Sequence, residues 1–239
     1  DNDRRWYRYH SLFRDLLRQR LDQPRELPDY HLRASAWLEA NADLAQAFQH
    51  ALAAGDVERA ARLAETAWQD MERSFQTSAW LGWVKRLPDS VVLPRPGLCV
   101  DTASAYSDIG DPARSEAYLR MAEQTFAGMT DQEANTSLCA RIAQIRANNA
   151  QNDGNLPETV RYAEQVLRLA PKGDAFLRSQ AAITLGFTQW TAGNVSASLR
   201  AMRAWISART VASCVRTVPS IVTRSAMMLK RVPPWMRPM

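Results

Sequence analysis

Four Gly-Asp or Gly-Asn dipeptides, Gly55-Asp56, Gly110-Asp111, Gly154-Asn155 and Gly193-Asn194, each separate two alanine-rich amphipathic segments. Glycine readily takes the left-handed conformation that ends a helix, and a following Asp or Asn can cap the next one. The pattern therefore predicts tight turns between antiparallel helices. It is clearest from Leu138 to Pro171, where Leu138, Ile142, Ile145 and Asn149 fall one helical turn apart. After the Asp153-Gly154-Asn155 break, Val160, Ala163, Leu167 and Ala170 line a second helix, which Pro171 stops. Ala143, Ala147 and Ala163 allow close approach of the two helices. This is packing chemistry, with no catalytic group in the unit.

Composition agrees. The 239-residue chain has only nine glycines, scarce β-branched clusters and abundant Ala, Leu, Arg, Glu and Gln, an all-helical profile long enough to bury a sizeable core. No run approaches the roughly 18 apolar residues of a membrane span. The opening DNDRRWYRYH does not read as a signal peptide. Cys99, Cys139 and Cys214 are isolated and lack metal-ligand spacing, which points to the reducing cytoplasm. Charge is segregated: residues 1–174 hold all 25 acidic side chains against 21 basic ones, a balance of −4, whereas residues 175–239 hold nine basic and no acidic side chains.

In chain order, a short aromatic stretch at Trp6, Tyr7 and Tyr9 precedes a helix capped by Ser11, with Leu12, Phe13, Leu16, Leu17 and Leu21 as its apolar face. Helices follow over about 29–40, 42–54, 57–73 and 77–86, then a turn-rich stretch from Asp89 to Pro96. Pairing resumes at 98–109 with 112–126, continues through 138–171, and ends with 174–192 and 194–208. The unit 138–171 has tetratricopeptide length, although turn spacings of 55, 44 and 39 keep no strict register. The fold expected is an all-α, tetratricopeptide-like antiparallel helical-repeat array, a superhelix; an irregular helical bundle is the alternative. Residues 209–239, with Pro219, Pro233-Pro234 and no acid, read as an atypical basic tail, disordered or out of frame.

At WYRYHSLFRDLLRQRL the chain resembles the end of the winged-helix module of MalT-type, ATP-dependent LuxR-family transcription regulators. YHLRASAWLEANADLAQAFQHALAAGDVERAARLAE is similar to the start of their helical-repeat sensor region. The resemblance covers about 1–208 and implies residues 1–25 as a winged-helix remnant and 26–208 as a sensor region. It also implies ATP or ADP as the cofactor of the full-length family. No G-x-x-x-x-G-K-[ST] loop and no credible helix-turn-helix occur in this chain, so neither tight nucleotide binding nor operator reading is expected of it. His10, in Tyr9-His10-Ser11-Leu12, matches a histidine that contacts ADP phosphates in related signalling NTPases; Ser11 departs from the acidic residue of that motif. The other reading of His10 is a local hydrogen bond at the start of a helix.

His31 and His50 lie on different helices without a third ligand at metal spacing, and read as packing or solvated residues. Glu116, Glu123, Glu158 and Glu164 read as charged helix faces with partners one turn away, such as Arg168 for Glu164. Trp37, Trp68, Trp80 and Trp83 are expected in the core that joins the winged-helix remnant to the first repeats, or, alternatively, as stacking surfaces for an effector. No nucleophile motif appears, and no enzyme activity, cofactor or metal is expected of this chain. The function expected is effector sensing and oligomerisation in a MalT-like regulator. Its partners would be a small-molecule effector or a protein on the repeat surface, its own NTPase domain in the full-length protein, and a second copy. A free-standing peptide-binding scaffold is the alternative, and nucleic-acid binding through the basic tail a weaker third reading.

Overall fold

A computed structural model describes residues 27–127 and 132–208, together with Leu12 and Leu16. Eleven helices and no strand occur among the described residues. They are α1 (Leu27–Ala40), α2 (Leu44–Ala53), α3 (Val57–Arg73), α4 (Thr77–Val84), α5 (Asp89–Val92), α6 (Pro96–Asp108), α7 (Pro112–Phe126), α8 (Gln132–Asn152), α9 (Leu156–Leu169), α10 (Ala175–Thr191) and α11 (Val195–Ala208). The chain forms two compact units, divided after Leu63 within α3. None of these helices is long and apolar enough to cross a membrane.

Gly55, Gly110, Gly154 and Gly193 all adopt positive φ, between 74° and 81°. Each closes a Schellman motif: at the second, the Gly110 N–H donates to the Ser107 carbonyl and the Asp111 N–H to the Tyr106 carbonyl. The Asp or Asn that follows then caps the next helix, as Asp111 does for the Arg114 N–H at 3.0 Å and Asn155 for the Glu158 N–H at 3.3 Å. Two further turns have the same bonding around residues other than glycine. Ala42, with φ 61°, precedes the cap Asp43, and Phe75, with φ 60°, precedes Gln76.

These six left-handed residues set a common register. Seven residues before them stand Ser35, Phe48, Trp68, Ala103, Ala147 and Gly186; five residues after stand Ala47, Ala60, Trp80, Ser115, Thr159 and Ser198. All twelve are buried. Ser35 meets Ala47, and Trp68 meets Trp80, across their turns. At the last pair Gly186 leaves room for a side chain of the partner helix, for a Cβ there would lie 2.9 Å from Met202 Cε.

In the first unit α1 packs on α2. The Ser35 hydroxyl donates to the Ala47 carbonyl at 2.9 Å and accepts from Arg59 Nε, whose guanidinium also pairs with Glu39.

In the second unit Trp68 and Trp80 are buried with ring centroids 4.6 Å apart, and the Trp80 indole N–H donates to the Ala64 carbonyl. The Asp89–Pro96 stretch, read as turns, contains the short α5 after Pro88, with Val91 and Val92 buried. Beyond it three helix pairs stack. The inner helices α6, α8 and α10 pack on one another in sequence; each outer helix, α7, α9 or α11, packs on its own inner helix, and α7 and α9 also on the next one. The inner helices are covered from several sides, and Trp190 and Thr191 near the end of α10 and Asn152 at the end of α8 are their only exposed residues among those described. Outer helices such as α9 keep the usual apolar stripe and charged back. This arrangement is the expected all-α helical-repeat array.

Candidate effector face on the inner helices

Counting back from each turn glycine identifies one stripe on each inner helix, at thirteen, ten, six and three residues before it. On α6 the stripe reads Gly97, Val100, Ser104 and Ser107; on α8, Arg141, Gln144, Asn148 and Gln151; on α10, Gln180, Ile183, Phe187 and Trp190. This spacing keeps the four residues on one side of a helix. The stripe stays partly accessible at Arg141, Asn148, Gln180, Ile183 and Phe187, and Trp190 is exposed. It changes from polar on α8 to aromatic on α10, where Phe187 and Trp190 pack with centroids 5.8 Å apart.

Its polar part is anchored beneath. Arg141 on α8 forms an ion pair with the buried Asp101 of α6. Burial pushes the Asp101 carboxyl up to about 6; the Arg141 guanidinium works against that shift and Glu65 adds slightly to it. The Gln144 side-chain amide donates to Asn148 Oδ1 at 2.9 Å. Gln144 Oε1 and Asn149 Oδ1 are buried acceptors with no donor among the described residues. Asn149 Nδ2 reaches across to Ser115 Oγ on α7 at 3.0 Å. A guanidinium, several amides and an adjoining aromatic surface can hold a ligand that has hydrogen-bonding groups on one side and an apolar face on the other. They supply no nucleophile paired with a base, and no group of three metal-ligating side chains occurs among the described residues.

On the other side of α8, Arg146 forks between two carboxylates of α7, Glu116 at 2.9 Å and Glu123 at 2.7 Å. Burial pushes the Glu116 carboxyl up, and the guanidiniums of Arg146 and Arg120 outweigh it, leaving the group below its ordinary value. These two glutamates thus join helices as well, which their reading as charged faces did not include, while Glu116 also keeps the expected partner one turn away, Arg120 at 3.2 Å. Glu158 with Arg161 and Glu164 with Arg168 are the surface pairs the sequence suggests.

His31 and His50 are brought together, with Nδ1 atoms 2.8 Å apart. Sequence reasoning placed the two histidines on neighbouring helices but missed their pairing, because no glycine marks the left-handed residue that sets the register of one helix on the other. Trp68 and Trp80 are core residues as expected and Trp83 is half-buried, but Trp37 is 53% exposed, which corrects its assignment to the core. Leu12 and Leu16 are helical, as expected, and both are exposed. His10 and residues 209–239 lie outside the described residues.

Residues 1–31 match the MalT winged helix domain. The serine/threonine-protein kinase PknK of Mycobacterium tuberculosis and that of Mycobacterium bovis are each 32% identical to this chain over 165 residues. That match takes in 65% of this chain and only 15% of either kinase. No solved structure matches.

Proposed function

We propose that this chain is the effector-sensing and self-association region of a MalT-like, LuxR-family transcription regulator. The observation that carries the reading is the order of parts: a MalT-type winged-helix match over residues 1–31 that runs directly into a stacked helical array. In such a protein the array would report its occupancy to an NTPase domain elsewhere in the polypeptide. The chain would work in the cytoplasm and would itself neither catalyse nor bind operator DNA. The effector, a small molecule, would lie along Arg141, Asn148, Phe187 and Trp190. His10 would contact nucleotide phosphates only in the complete protein.

The partial likeness to PknK fits a module that serves more than one kind of output, since the shared stretch is a small part of that kinase. A stripe that runs over three stacked helices, with its amides on α8, also suits an extended peptide, which keeps the scaffold reading as the second one.

A thermal-shift screen of small metabolites against a peptide array separates the two. The sensor reading expects a metabolite that raises the melting temperature, an effect of about 2.7 kcal/mol at a hundredfold excess over Kd, and that fails to do so in Arg141→Ala and Asn148→Ala. Binding of peptides alone, with no metabolite response, overturns it. Sequencing of the gene on both sides gives an independent check: a phosphate-binding loop upstream and a helix-turn-helix downstream are expected.

A further inference from the structure

We infer that His31 and His50 form a proton-sensitive clasp between α1 and α2, releasing the first helix pair of the array when both rings are charged. The two Nδ1 atoms are 2.8 Å apart and the ring centroids 5.0 Å, tilted by 45°. At that distance one Nδ1 must donate and the other must accept. A first proton can go to the outward-facing Nε2 of the donor ring and leaves the bond in place. A second puts N–H on both facing atoms, and the bond cannot exist.

Among the described helices of the first unit, α2 carries no charged residue besides His50, and Asp43 and Asp56 cap the N-termini of α2 and α3. The ionisable side chains on α1 are Asp29, Tyr30, Arg33 and Glu39, and on α3 before Leu63 they are Glu58, Arg59 and Arg62. Glu39 and Arg59 are paired with each other. Burial and, after it, the charge of His31 hold the His50 imidazole below its ordinary value of 6.5, and no carboxylate contributes to that shift. The folded form therefore takes up this proton less readily than the unfolded chain. Stability from the clasp is present above 6.5 and drains away as pH falls through the depressed value.

The clasp has a telling place. His31 is the last residue of the winged-helix match, and His50 lies on the next helix of the array. Opening it would loosen α1, which begins within the matched stretch, from α2.

The test is amide hydrogen exchange on the whole chain at about pH 7 and about pH 5, corrected for intrinsic rates, together with an NMR titration of both imidazoles. Protection in α1 and α2 is expected to fall about three- to tenfold at the lower pH, the worth of one net hydrogen bond, while α8 and α9 keep theirs. In His50→Gln this pH-dependent loss should vanish, and in His31→Gln the His50 midpoint should return towards its ordinary value. Unchanged protection in the wild type, an equal fall in α8 and α9, persistence of the loss in His50→Gln, or an unmoved His50 midpoint in His31→Gln overturns the inference. Should the variants not fold, the wild-type exchange decides: a fall confined to α1 and α2 supports the inference, and unchanged protection or a uniform fall overturns it.

Discussion

Ala42, at φ 61°, holds the same left-handed place in its turn that Gly110 holds at φ 81°. Both residues end a helix with the same bonding, and both are followed by an aspartate that caps the next helix. An L side chain in this region costs about 1–2 kcal/mol that glycine does not. Part of that gain is offset because glycine loses more entropy on folding. Ala42→Gly and Phe75→Gly are therefore expected to stabilise the chain by about 0.5–1 kcal/mol, read as a higher urea midpoint with an unchanged slope. Gly110→Ala should lower stability by about 1 kcal/mol, although nothing lies within 4 Å of the added methyl. A neutral result at all three positions would show that the turns relax out of the left-handed region.

These two turns also explain what was legible in the sequence. The helices and four of the turns could be read because Gly followed by Asp or Asn has a local physical preference for the conformation it adopts. Ala42 and Phe75 have none, so their turns are imposed by the packing on either side. The break between the helices at 29–40 and 42–54 could be read, but no glycine marks its left-handed residue, so the register of one helix on the other could not: Ser35 with Ala47, and His31 with His50. The fork at Arg146 left a different trace. Glu116 and Glu123 are seven residues apart and so on one helix face, but charge alone does not distinguish a face that meets solvent from one that meets a guanidinium on the next helix. The inner stripe was illegible for a third reason. Its polar residues on α8 and aromatic ones on α10 join only when the repeats are superimposed by their turns, and the irregular spacing of those turns obscures that alignment.

The buried pair of Asp101 and Arg141 is unequal, and the two substitutions that break it should differ. Arg141 keeps about a third of its side chain exposed and can turn to water, whereas Asp101 cannot. Arg141→Met leaves a buried carboxylate without its cation and is expected to cost about 3 kcal/mol near neutral pH; Asp101→Asn should cost about 1 kcal/mol. The pH dependence follows from the carboxyl being raised from 3.8 to about 6. Between those values the folded state holds more protons than the unfolded one, so the contribution of this group to stability falls as pH rises. In Arg141→Met that window should extend upward, making the variant recover stability on acidification. Urea titrations from about pH 7 down to about pH 5 check this, and equal losses in the two variants would refute the asymmetry.

Trp80 is fully buried, and its indole N–H gives a 2.8 Å hydrogen bond to the Ala64 carbonyl. Trp80→Phe removes that donor and part of the ring volume packed against Trp68. A loss of about 2 kcal/mol is expected from the combined bond and packing terms. Thermal denaturation of Trp80→Phe beside Trp37→Phe makes the comparison, because the latter ring is half in solvent and its replacement should change stability by no more than about 0.5 kcal/mol. Similar losses at the two sites would place Trp80 outside the core.

Arg146 holds α8 to α7 with a fork that lysine cannot copy. Its guanidinium donates through Nε and Nη2 to Glu116 and through Nη1 and Nη2 to Glu123, so a planar group satisfies two carboxylates of the neighbouring helix at once. Removing the cation leaves two partly exposed carboxylates on one face of α7, two turns apart, without their shared partner. Arg146→Ala is expected to cost about 2 kcal/mol, and Arg146→Lys about half of that, because a single ammonium keeps the charge and loses the paired geometry. Glu116 supplies the pH signature. Its folded carboxyl titrates below its ordinary value of 4.5, so its contribution is present above 4.5 and is lost as pH falls through the depressed value. Acidification through that range should therefore destabilise the wild type more than Arg146→Ala, and the two stability curves should converge at low pH. Parallel curves would mean that the fork is a surface contact without energetic weight, and that α7 and α8 are held by their apolar residues alone.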